Sequence, residues 1–152
     1  MYHYNIAEHI VRIGFAEGQG NSMALLPSFR FFECEANESS ECLFTLFVDD
    51  ALVPIDARHG AKLIKVFETG NGDTSVERLP DGGYQYFIKN LAGEACCLLQ
   101  TDKDFHECKC ALRGNYAQRC FGINNAVMLC FAFAGADDFV REFLVAGFII
   151  FK

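Results

Sequence analysis

KLIKVFETGNGDTSVERLPDGGYQYFIKNLAGEACCLLQTDKDFHECKCAL, running from Lys62 to Leu112, decides the fold through its punctuation. Asn71-Gly72 separates two runs of alternating residues, Leu63–Thr69 and Ser75–Leu79. Asn and Gly both tolerate positive φ, so this dipeptide is a strong hairpin signal. Asp81-Gly82-Gly83 turns the chain into Tyr84–Lys89, Leu91-Ala-Gly93 into Ala95–Leu99, and Asp102-Lys-Asp104 into His106–Leu112. The stretch therefore predicts a five-strand antiparallel meander with one apolar and one mixed face.

The same period of two extends towards the N-terminus. Tyr2, Tyr4 and Ile6 alternate with polar partners, and after a turn at Ala7-Glu8 so do Val11, Ile13 and Phe15. Asn21-Ser22 caps a helical turn over Met23-Ala-Leu-Leu26 that Pro27 closes, and strands are expected at Phe29–Cys34 and Cys42–Val48. Ala51 to Gly60 reads as a loop.

Towards the C-terminus the period changes. Gly122-Ile-Asn-Asn-Ala-Val-Met-Leu-Cys-Phe-Ala-Phe-Ala lacks strand alternation and is rich in helix formers, predicting a buried helix over 121–135 with Gly135 as its stop. Phe143–Phe151 reads as a final buried strand. The expected fold is α+β: a mainly antiparallel meander sheet packed against one long C-terminal helix and a last strand, in a single domain spanning 1–152.

Composition narrows the function. The 152 residues carry a net charge of −7 with no run of Lys or Arg, which argues against nucleic-acid binding. No basic, apolar leader opens the chain, and the longest apolar stretch, Phe121 to Ala136, is interrupted by Asn124-Asn125 and too short for a membrane span. Eight cysteines without an export signal read as reduced, packed thiols, so a cytoplasmic setting is expected.

Candidate chemistry is sparse. His106, Cys108 and Cys110 share a strand face, but three side chains in a straight row cannot converge on one metal ion, and packing explains them. His3 and His9 are expected at the surface, and Asp49-Asp50 and Asp137-Asp138 as solvated boundary residues. Neither glycine-rich phosphate-loop spacing is present. Arg113, Arg119, Asn124 and Asn125 gather at the expected helix entrance, where an anion is one possible guest and simple capping by either Asn is another. No catalytic residue, cofactor or metal ligand emerges, so no enzyme is expected.

The segments Leu79-Pro-Asp-Gly-Gly-Tyr-Gln-Tyr86, Gly93, Cys96-Cys-Leu-Leu-Gln-Thr-Asp102, Asp104-Phe105 and Phe121 to Ala136 resemble the N-terminal region of bacterial proteins similar to HPr kinase/phosphorylase. In that family such a region precedes a P-loop serine-kinase domain. Beyond Ala136 this sequence takes a different course, and no phosphate-loop lysine or catalytic Asp carries over. The resemblance implies a non-catalytic accessory domain that associates with a kinase-like partner or with itself. One sheet face cannot cover Phe121, Ile123, Val127, Met128, Leu129, Cys130, Phe131 and Phe133 together, so either the Phe143–Phe151 strand or a partner must cover the rest, and in the second case the helix residues around Phe131 would carry the contact. The other reading is a small-molecule binding module that uses the sheet as an apolar cup.

Overall fold

The computed structural model describes residues 1–36, 40–68, 70 and 72–135. Asn71, Asp137-Asp138 and the expected strand Phe143–Phe151 lie outside the described residues. The meander forms as its turns require: β4 (Lys62–Glu68), β5 (Asp73–Arg78), β6 (Tyr84–Lys89), β7 (Ala95–Thr101) and β8 (Glu107–Leu112) pair antiparallel in succession. β1 (Tyr2–Ile6) and β2 (His9–Phe15) make the first hairpin. Ala7 and Glu8 take φ of 52° and 68°, the left-handed pair that a two-residue hairpin turn demands.

The connection between hairpin and meander is β3 (Phe44–Val48), which lies parallel to both β2 and β8. The described strands make one sheet in the order β1-β2-β3-β8-β7-β6-β5-β4. Sequence alternation alone does not specify these two parallel contacts. They oblige the chain to cross the sheet twice. Residues 16–43 make the first crossing. Residues 49–61 make the second, from β3 to the far edge at β4.

The first crossing departs from expectation. Ser22 caps a 3-10 turn over Met23–Leu25 as anticipated, but Pro27 opens a second one, Pro27–Phe32, where a strand was expected from Phe29. Proline's fixed φ suits a first helical turn, and its missing N–H would leave a gap in a strand ladder. Of the expected strand, among the described residues only Glu33 makes a bridge, antiparallel to Tyr4.

The second crossing is held by side-chain amides. Gln85, fully buried, donates through Nε2 to the Ile55 carbonyl at 2.9 Å and to Glu77 Oε1 at 2.7 Å. Its Oε1 accepts from Ile55 N at 2.9 Å and from Gln100 Nε2 at 2.7 Å, and Gln100 also donates to the Val53 carbonyl at 3.0 Å. All four hydrogen-bonding positions of the Gln85 amide are thus used, so burying it leaves nothing unpaired. Gln85 alternates with Tyr84 and Tyr86, so this crossing runs on one face while the core fills the other.

On the core face lies α1 (Tyr116–Phe133). It starts five residues before the expected Phe121, because Asn115 and Gln118 form a reciprocal capping box. Asn124 and Asn125 therefore sit inside the helix rather than at its entrance. Gly135 takes φ of 77° just past the end, the left-handed stop its identity predicts. Ile123, Ala126, Val127, Leu129, Cys130 and Phe133 are buried. Phe133 packs 5.1 Å from Phe105, whose ring in turn stacks on Tyr84 at 5.3 Å and meets Tyr86 edge-on at 6.2 Å. No described helix is long and apolar enough to cross a membrane.

Gly122 sets how closely α1 approaches the sheet. A Cβ there would stand 2.7 Å from the Cys96 carbonyl oxygen and 3.0 Å from Cys97 Cβ. Gly122→Ala should therefore lower stability by about 1–3 kcal/mol in equilibrium urea denaturation, against the small gain that alanine normally brings to a helix. An unchanged or raised midpoint would mean that the helix does not rest on β7 as described.

Candidate functional site

The residues expected to gather at the helix entrance divide into separate environments. Arg119 lies in the first turns of α1, and its Nη1 donates to Asp50 Oδ2 and to Asn21 Oδ1, both at 2.8 Å, while Nε donates to the Gly114 carbonyl. Asp50 Oδ2 also accepts from Asn21 Nδ2 at 3.0 Å, and Oδ1 from Leu112 N at 2.9 Å. Its own N–H reaches Gln19 Oε1 at 2.8 Å, and Gln19 Nε2 donates to Asp49 Oδ1. One carboxylate at the end of β3 thus joins the first crossing, the end of β8 and the start of α1.

This overturns two sequence expectations. Asp50 is not merely a solvated boundary residue, since its side chain is only 16% exposed, whereas Asp49 keeps the turn role expected of it and accepts from Ala51 N. Arg119 is not available to a free anion, because Asp50 already neutralises it. Sequence inspection missed the cluster because its members come from positions 19, 21, 50, 112 and 119. Burial pushes the Asp50 pKa up, but the Arg119 guanidinium and the Leu112 and Asn21 donors outweigh it and hold the pKa below the ordinary value.

The other expected residues follow suit. Exposed Arg113 donates through Nη1 to the Leu112 carbonyl. Asn124 and Asn125 each donate through Nδ2 to the carbonyl four residues earlier, Cys120 and Phe121, at 2.8 Å. This interior back-bonding replaces the capping role expected of them. Phe131 is half-buried, with its ring edge-on to Phe44 at 5.0 Å, so it belongs largely to the core.

Most of the thiols are packed into the core. All eight cysteines are free and six are buried. A hydrogen bond with Cys130, together with burial, pushes Cys108 well up, and contact with Cys97 does the same for Cys110. His106 is exposed, away from these buried thiols. Among the described residues no three His, Cys, Asp or Glu side chains could hold a metal ion, including those around the 800 Å³ concavity that His9, Glu41, Asp104 and His106 border. His3, expected at the surface, is only 8% exposed.

The exposed residues of α1 are Tyr116 at its start and then Ala117, Asn124, Met128 and Ala132 in a stripe, with Phe121, Asn125 and Phe131 half-buried at the margins of that stripe. Met128 is 66% exposed. From Cys120 to Gly135 there is no charged residue. A helix face in water ordinarily carries charge, so this one is apolar by composition rather than by accident of packing. Compared with known proteins, the chain matches no family model, no curated protein and no solved structure. Geometry alone must carry the functional reading.

Asp50 generates a prediction with a definite sign. Its folded pKa lies below the unfolded value, so the stabilisation is fully present above about pH 4 and is lost as pH falls through the folded pKa. Asp50→Asn should cost about 2 kcal/mol at pH 7 and should flatten the decline of stability on the acid side. Urea titrations at a series of pH values give both numbers. Parallel acid limbs for the two proteins would contradict the assignment.

Proposed function

We propose that this chain is a non-catalytic association domain whose contact surface is the outer face of α1, and that its partner is a second copy of itself. The observation that supports this reading is the uncharged outer stripe, which is also self-complementary. Laying two copies of the stripe antiparallel about a point between Asn124 and Asn125 sets Ala117 against Ala132, Phe121 against Met128 and Asn124 against Asn125. Small residues meet small, long meet long, and amide meets amide. Each Asn spends one N–H on its own helix, leaving a second N–H and carbonyl lone pairs to bond the facing amide. An isologous dimer needs this kind of matching.

Size is compatible with such a pair. An 18-residue helix is about 27 Å long. With its flanks it can supply the roughly 1,000 Å² that a specific interface requires. The net charge of −7 lies elsewhere on the chain and opposes pairing only at a distance, where salt screens it. A kinase-like domain is the other occupant that the sequence resemblance implies, and it would leave the isolated chain monomeric.

Light scattering after size exclusion should give a dimer, retained in high salt. Met128→Asp should yield a monomer whose stability changes by no more than about 0.5 kcal/mol, because residue 128 is a surface position. A monomeric wild-type chain at about 100 μM would overturn self-association.

A further inference from the structure

A second surface feature lies on the first crossing, away from the helix stripe. Between β1 and the 3-10 turns is a cleft of about 390 Å³. Met23, Leu26 and Pro27 give it an apolar wall, and Tyr4, Arg30 and Glu33 also line it. Three polar groups here are unspent. Among the described residues, Arg30 stacks over the Phe31 ring at 4.9 Å and makes no ion pair, Glu33 meets no cationic partner, and the hydroxyl of Tyr4, a residue only 2% exposed, meets no acceptor. The arrangement is not accidental in the backbone. The bridge between Tyr4 and Glu33 sets those residues directly opposite each other, and Arg30 precedes Glu33 by three residues, one 3-10 turn, which brings the two to the same side.

We propose that this cleft binds a small zwitterion, an α-amino acid with an apolar side chain. Its carboxylate would meet the Arg30 guanidinium, whose planar donors suit a two-oxygen acceptor. Its ammonium would meet Glu33, and its side chain would lie on Met23, Leu26 and Pro27. Neither charge alone selects this ligand: a simple carboxylic acid would leave Glu33 unanswered and a simple amine would leave Arg30 so. Burial and the Glu33 carboxylate push the Tyr4 pKa up to about 12, so its hydroxyl stays protonated and can donate to the bound carboxylate. No group of this site belongs to the α1 stripe, so the inference stands or falls separately from self-association.

Titration calorimetry of the full chain with L-leucine and L-phenylalanine tests it. Binding is expected for at least one, and about tenfold or more weakening is expected for its N-acetyl and amide derivatives, each of which lacks one charge. Arg30→Gln and Glu33→Gln should each weaken binding by a similar factor, and circular dichroism melting should confirm that both variants stay folded, since both side chains are exposed. Equal affinity for the neutralised derivatives, or unaltered binding by the folded variants, would overturn the zwitterion assignment. Absence of heat at millimolar amino acid would overturn the site altogether.

Discussion

The carboxylate of Asp50 is the constraint on which the remaining geometry depends. It stands where β3 ends, and β3 is the strand that makes the sheet mixed. By accepting from Leu112 N it fixes the end of β8 beside β3, and by accepting from Asn21 and Arg119 it fixes the first crossing and α1 above them. Removing Asp50 or Arg119 would strand the other's partly buried charge, and such losses cost more than the net worth of a pair. Together with Gly122 against Cys96, the ion pair sets both the height of α1 and its rotation about its own axis. That rotation decides which residues face outward.

How far this was legible in the sequence depends on the range of each interaction. The meander is written in local turn chemistry, at Asp81-Gly82-Gly83 and Leu91-Ala-Gly93, and it formed accordingly. The helix start was legible too, in Asn115-x-x-Gln118, upstream of the apolar run from Phe121. Phe29 to Cys34 looks like a strand by composition, and the decisive residue is Pro27 just before it. The parallel placement of β3 has no local signal at all, because strands β2, β3 and β8 are brought together only by two long crossings. The Asp50 cluster is opaque for the same reason. As for the candidate site, the sequence located the apolar helix but chose Phe131 as its exposed contact, whereas packing turns Phe131 towards Phe44 and leaves Met128 outward.

The two proposed surfaces differ in kind. The stripe on α1 gains from excluding water over an extended area and has no charge to orient a small ligand. The cleft beside β1 is the reverse, since it offers little area but presents charges of both signs beside an apolar wall. Both arise from the crossing that β3 imposes, because the Met23–Leu25 turn supplies one wall of the cleft and its Ala24 carbonyl accepts a hydrogen bond from Tyr116 at the start of α1. The two surfaces are joined by this short contact.

Self-pairing through α1 is the central claim, and its register can be tested by exchanging charge at two exposed alanines. One chain carries Ala117→Lys with Ala132→Lys, the other Ala117→Glu with Ala132→Glu, substitutions with small intrinsic cost in a helix. In the antiparallel register each variant alone sets like charges opposite one another, while the mixture sets opposite charges together. Native mass spectrometry should therefore find each variant monomeric and the equimolar mixture a one-to-one heterodimer. Two variants that each remain homodimers, or a mixture that stays monomeric, would contradict the account.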